Sequence, residues 1–282
     1  MRKILSRINR CSLAVTVSVV LLLQPMVVGA SQNLILQAGS GGSTSLSSTK
    51  VSGEAAPLSP PESSGSNKPE TLLAKSQLTT ADPVDLDVGS GQPYATIQAA
   101  VNAANDSDTI IVHNGTYNEM VTILNKTLTL MSYGTDVPLV NGTGAAPCFN
   151  VTSNVYNDIT ITGFNITGGS ADGVYVNGTA DVNVTGNTIY TDDTGIYVDN
   201  VFGTAHLNGN TITAPGGILV NVTYGDLQVN GNSIYSIYGV NIETEYAQAD
   251  VSGNNITSLE FGIGVDAVWG GIQVNGNNIT SY

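Results

Sequence analysis

Positive charge is what the sequence has least of where it matters. From Val84 onward the chain carries one lysine, Lys126, and no arginine, set against 18 carboxylates. The other seven bases (Arg2, Lys3, Arg7, Arg10, Lys50, Lys68 and Lys75) all lie earlier, and the net charge is -14. Nucleic acid and anionic headgroups are held mainly by Lys and Arg, so both are excluded as partners of this part of the chain. Cysteine is nearly absent too. Cys11 and Cys148 are the two present, and Cys11 lies in the N-terminal leader described below, so no internal disulfide framework is expected. Beyond the first 30 residues no apolar run approaches the roughly 20 residues a spanning helix needs.

Arg2, Lys3, Arg7 and Arg10 precede the apolar run Leu13–Leu23, and Val28-Gly29-Ala30 is a small-residue processing site. Residues 1–30 therefore read as an export signal cleaved after Ala30. The mature chain is then secreted, extracellular or at the cell surface, and is not an integral membrane protein. Residues 31–83 are rich in Ser, Gly and Pro and too poor in apolar groups to offset the entropy of ordering, which describes a disordered linker. The folded domain is expected over residues 84–282.

A repeat dominates that domain. Gly-Asn-x-Ile occurs at Gly186, Gly209, Gly231, Gly253 and Gly276, with a degenerate copy at Gly163, at steps of 22 or 23 residues. A period that regular marks a solenoid. Each repeat has apolar pairs at period 2, such as Gly195-Ile-Tyr-Val198 and Leu227-Gln-Val229, and the isoleucine after Gly-Asn makes a third. Three short strands per turn with all apolar positions inside predict an all-β, right-handed, single-stranded parallel β-helix. About five regular coils are expected after one or two irregular ones. The Gly-Asn step is the corner, with Asn187, Asn210, Asn232, Asn254 and Asn277 stacked as an amide ladder.

At the start of the domain, Ile97, Ala100, Val101 and Ala104 form the stripe of a short amphipathic helix, placed to cover the first coil. Tyr94-Ala-Thr-Ile-Gln-Ala-Ala-Val101, Asp108-Thr-Ile-Ile-Val112 and Gly115-Thr-Tyr-Asn-Glu119 resemble the N-terminal cap and first coil of pectin-lyase-like β-helices. The Gly-Asn-x-Ile and Gly-Ile-x-Val repeats resemble the periplasmic copper-binding (NosD-like) subgroup. The resemblance implies the fold. That superfamily includes lyases, hydrolases, epimerases and non-catalytic surface proteins, so it leaves the activity open.

Function must then lie on outward columns. The register predicts one column of Tyr175, Tyr197, Leu219, Asn241 and Gly264, and beside it Asn177, Asp199, Asn221, Glu243 and Asp266. Tyr175, Tyr197, Asp199 and Asn177 together offer an aromatic and polar surface suited to sugar faces. A second reading makes Asp199 and Glu243 a carboxylate pair for glycoside hydrolysis. Two coil steps separate them by about 9.6 Å, at the edge of the inverting range. A third makes the chain a structural module. Superfamily lyases imply an arginine or lysine at the reacting carbon, which the region lacks apart from Lys126. Of the hydrolase motifs, Asp192-Asp193 alone has a counterpart, and His206 lies in Ala-His-Leu. No cofactor is assigned. Calcium on Asp192, Asp193 or Asp199 has no loop of defined spacing, and the soft copper donors His113, His206, Met120, Met131 and Cys148 are scattered. Eleven Asn-x-Ser/Thr sequons, at Asn105, Asn114, Asn125, Asn141, Asn150, Asn165, Asn177, Asn183, Asn221, Asn255 and Asn278, mark candidate glycan acceptors. The sequence ends at Tyr282 with no capping element, so the last coil is expected to stack on another domain or chain, or the reading frame to continue. The partner that suits all of this is a carbohydrate or cell-envelope polymer.

Overall fold

The structure is a computed structural model that describes residues 82–282 apart from 155–156, 179–180, 201–202 and 223. The export signal and most of the linker read from the sequence lie outside the described residues. What is described is a parallel β-helix of three faces.

The first face stacks nine strands, one per coil: β1 (Asp85–Val88), β2 (Asp108–Val112), β5 (Leu128–Ser132), β8 (Asp158–Thr162), β11 (Asp181–Thr185), β14 (Ala205–Asn208), β17 (Leu227–Asn230), β19 (Ala249–Ser252) and β21 (Ile272–Asn275). The second face holds β3 (Thr116–Tyr117), β6 (Leu139–Asn141), β9 (Asn165–Thr167), β12 (Thr188–Tyr190), β15 (Thr211–Thr213) and β22 (Asn278–Ser281). The third holds β4 (Val121–Leu124), β7 (Phe149–Ser153), β10 (Val174–Gly178), β13 (Thr194–Asn200) and β16 (Gly216–Val222). Two long strands, β18 (Ser233–Thr244) and β20 (Asn255–Ala267), run through the corner from the second face to the third and join them into one sheet. Where β12 meets β13 the corner is a turn at Thr191-Asp192-Asp193. In β18 and β20 it is absorbed by a bulge between Ser236 and Tyr238.

Every coil repeats the same inward choice. Ile161, Val184, Leu207, Val229 and Val251 stack in register on the first face. Ile166, Ile189, Ile212, Ile234 and Ile256 do so on the second, and Val151, Val176, Val198, Val220 and Ile242 on the third. All of these are essentially inaccessible to solvent. Each such side chain contributes roughly 1.5–3 kcal/mol by leaving water. The five regular coils expected from the sequence are β8–β10, β11–β13, β14–β16, β17–β18 and β19–β20, with the strands β21 and β22 beyond them. Complete coils β2–β4 and β5–β7 precede the recognisable repeats, and the longer β5–β7 coil is filled by Phe149 against Phe164, ring centroids 5.4 Å apart.

The two glycines of each repeat do different work. Gly209 at the corner has φ +65 and open space around it, so conformation alone selects it. Gly217, in the third-face strand, has an ordinary φ, but a Cβ there would strike the Gly239 carbonyl and Ile234 Cγ2 of the next coil. The corner asparagines form the expected ladder. Asn210 Nδ2 donates to the Val184 carbonyl at 2.9 Å, while Asn232 Oδ1 accepts from both Asn210 N (2.8 Å) and Asn210 Nδ2 (3.1 Å). The pattern recurs from Asn187 to Asn277.

The cap is α1 (Ile97–Ala103), which buries Ile97, Ala100 and Val101. It starts at Ile97, where the sequence stripe begins, because Thr96 is its N-cap, its hydroxyl accepting from Ala99 N, and it ends one residue short of the stripe, with Ala104 as C-cap. The first coil clamps both ends of α1. Glu119 accepts from Ile97 N and Gln98 N at 2.8 and 2.9 Å, and Lys126 Nζ donates to the carbonyls of Val101 and Ala104, each at 2.7 Å. Each charge has the sign that the helix dipole favours at its end.

Candidate functional site

Strand alternation decides what the third face shows to solvent. In β10 and β13, Val174, Val176, Ile196 and Val198 point inward, which turns Tyr175, Asn177, Tyr197 and Asp199 outward. The ladder register stacks Tyr175 on Tyr197 and Asn177 on Asp199, then continues through Asn221 and Glu243 to Asp266. Both columns run as the sequence register placed them.

The residues are brought together as a surface. The Tyr175 and Tyr197 rings lie 5.2 Å apart between centroids and are tilted by 60°. Asn177 Nδ2 donates to the Tyr175 hydroxyl at 2.9 Å. Asn221 Nδ2 reaches Asp199 Oδ1 at 3.4 Å. Asp199 is half-buried, and burial pushes its carboxyl above the usual carboxylate range. Glu243 is raised as well, first by burial and then by the charge of Asp266 on the next coil. Asn221 occupies the coil between Asp199 and Glu243, so an amide fills the gap a pair of catalytic carboxylates would leave for water.

Other candidates fall apart from this surface. His206 stands in a first-face column between Asn183 and Gln228. His113 lies near the cap, its Nε2 2.7 Å from Asp87 Oδ1 and its ring stacked on Tyr133. Cys148 is fully buried just before β7, and burial raises its thiol, which suppresses the thiolate. Among the described residues no group of three or more His, Cys, Asp or Glu side chains converges as a metal site. Of the sequon asparagines, Asn105, Asn114, Asn125, Asn177, Asn255 and Asn278 are exposed. Asn141, Asn150, Asn165, Asn183 and Asn221 are half-buried.

Two depressions were not read from the sequence. On the first face, Asp226, Gln228, Gln248, Asp250 and Gln273 line a polar hollow of about 400 Å³. The notch arises where Gly271 follows Asp226 and Gln248 in one column, a side-chain deletion visible only once the strands are stacked. The other hollow lies over the corner between second and third faces, beside Tyr190 and Tyr235.

Fold and surface together define a pectin-lyase-like right-handed parallel β-helix with outward aromatic and carboxylate columns. The chain belongs to the family described as periplasmic copper-binding protein (NosD), which it matches over residues 101–281. Among solved structures it is similar to a pectin methylesterase from Aspergillus niger, at 16% identity and a TM-score of 0.30, covering 70% of this chain and 85% of that one. No curated protein matches it. The copper of the family's description has no counterpart in the donor set seen here. The two histidines stand on different parts of the helix, one of them engaged by Asp87, and the thiol is buried away from both. No helix among the described residues is long and apolar enough to cross a membrane.

Proposed function

We propose that the chain is an exported, non-catalytic β-helix that binds carbohydrate or a cell-envelope polymer through its third face. The observation that carries this reading is the outward Tyr175–Tyr197 pair, with Asn177 fixing one hydroxyl and Asp199 held beside it by Asn221. Tyrosine rings present an apolar face to the C–H surface of a sugar and keep a polar edge for its hydroxyls. The periplasmic label of the family and the signal-like N-terminus support export. Cleavage after Ala30, the linker to residue 83 and glycan attachment at the exposed sequons belong to the same proposal. Asn177 can serve as a glycan acceptor or as the partner of Tyr175, and not both at once.

The raised carboxylates favour one rival. Burial shifts both carboxyls upward, the direction a general acid requires, so a hydrolase using Asp199 and Glu243 is the second reading. Binding and turnover on a panel of neutral and acidic polysaccharides separate the two. Retention lost in Tyr175→Ala/Tyr197→Ala, with no reducing sugar released, supports the binding role. Release of reducing ends that stops in both Asp199→Asn and Glu243→Gln overturns it. Failure to retain any glycan leaves the structural-module reading in its place.

A further inference from the structure

The second face carries another aromatic column. Tyr190, Thr213 and Tyr235 lie in register on β12, β15 and β18, so the two rings sit two coil steps apart, about 9.6 Å along the axis. They are unlike the tyrosines that stack on one another in this helix. Tyr175 and Tyr197 cover each other, as do Tyr224 and Tyr246, whereas Thr213 holds Tyr190 and Tyr235 apart. Tyr190 is 60% exposed and Tyr235 59%, and Leu259 beside them is 51% exposed. The three rim a depression of about 260 Å³ that also includes Asp192, Thr213 and Pro215. Its floor is fixed, because the Pro215 carbonyl accepts from both Ile237 N and Tyr238 N. A single exposed apolar side chain needs no explanation, but three around one hollow form a patch of the kind that binds something.

We propose that this groove is a subsite for a neutral glycan chain lying along the helix axis. The inference rests on the carbohydrate reading above and adds a place and a substrate class to it. Charge selects the class. Asp192 is the one acidic side chain in the lining and the folded region offers no base near it, so a polyuronate or sulfated chain is repelled and an uncharged one is not. Shape selects the sugar. Each ring can pack against a pyranose face, and the Thr213 hydroxyl and Asp192 carboxylate between and beside them can bond its equatorial hydroxyls. A polymer that repeats its face meets both rings at once, which a single small molecule does not.

The test is titration of the full chain with cellohexaose and chitohexaose as neutral probes and hexagalacturonate as the anionic one, followed by calorimetry and by NMR of the tyrosine rings. A neutral probe should bind, Tyr190→Ala/Tyr235→Ala should weaken it about tenfold, and Tyr190→Phe/Tyr235→Phe should stay within about twofold of wild type because the stacking face survives. Both rings are exposed, so circular dichroism of the variants should match wild type. If a neutral probe binds the Tyr190→Ala/Tyr235→Ala variant as tightly as wild type while Tyr175→Ala/Tyr197→Ala loses it, the groove proposal fails and the third-face reading stands. Preference for hexagalacturonate overturns the choice of a neutral chain. Wild type that binds none of the three overturns both readings together.

Discussion

Asn232 is 1% exposed and carries no apolar atoms worth burying, yet it sits at the heart of the corner. Its amide donates to the Leu207 carbonyl and its oxygen accepts from Asn210 N, so two buried backbone groups depend on it. Asn232→Ala should cost roughly 2–6 kcal/mol, since each buried group left without a partner costs about 1–3; urea unfolding checks this. Asp199 behaves in the opposite sense. Its carboxyl is raised by burial above the unfolded value, so the native state binds more protons across the interval from the ordinary value of 3.8 up to the raised one. Stability from this group is fully present below that interval and is lost as pH rises through it. Asp199→Asn should therefore raise the melting temperature at neutral pH and flatten its decline between acid and neutral pH. A parallel pair of melting curves across that range suffices, and an unchanged slope would place the burial effect elsewhere.

At the scale of elements, the two repeat glycines predict unequal costs. Gly217→Ala forces a Cβ into the neighbouring coil and should destabilise by more than Gly209→Ala, where space is open and the penalty is the roughly 1–2 kcal/mol of a left-handed backbone. The order of their chemical unfolding midpoints decides it. Lys126→Met should loosen α1, because three carbonyls near its C-terminal end lose their charged donor. A loss of about 1–3 kcal/mol is expected, with faster hydrogen exchange confined to residues 97–104. Inside and outside were legible for these elements because two periods, 2 and 22–23, fix every side chain's direction. The Tyr175 and Asp199 columns followed from that arithmetic alone. The clamp on α1 did not, since Glu119 and Lys126 meet it across more than 20 residues with no repeat to align them. Tyr190 and Tyr235 escaped for a related reason. They recur in alternate coils, and Thr213 between them hides the column from any search for a residue conserved in every repeat unit. The Asp266 charge that raises Glu243 is likewise a contact between coils rather than along the chain.

For the whole molecule, contacts run almost entirely from each coil to the next, so the ordering of strands on the first face is simply their order in the chain apart from the turns between. The distribution of charge follows from this. With one base beyond Val84 and that base spent on the cap, the long faces carry carboxylates and hydroxyls and present no cationic patch. Like charges on such a surface repel one another and anionic polymers. Among the described residues no side-chain cluster offers copper a cage, and the two aromatic columns lie on adjacent faces and overlap in the one coil that carries both Tyr190 and Tyr197.

The asparagine ladder also has a direction. Every Oδ1 accepts from the coil before it, so the bonds from one asparagine to the next all point one way along the axis and any two adjacent rungs are interchangeable with any other two. A chain built this way can change length in whole turns without disturbing the junction. Removing residues 209–230 joins Asn208 to Gly231 and should give a folded, cooperatively melting protein one coil shorter. Removing a few residues from the same stretch should abolish the cooperative transition, because it shifts every later rung out of line. Seen so, the ladder is a ruler whose unit is the coil, and duplication or loss of that unit is the change this protein's ancestry could accept most cheaply.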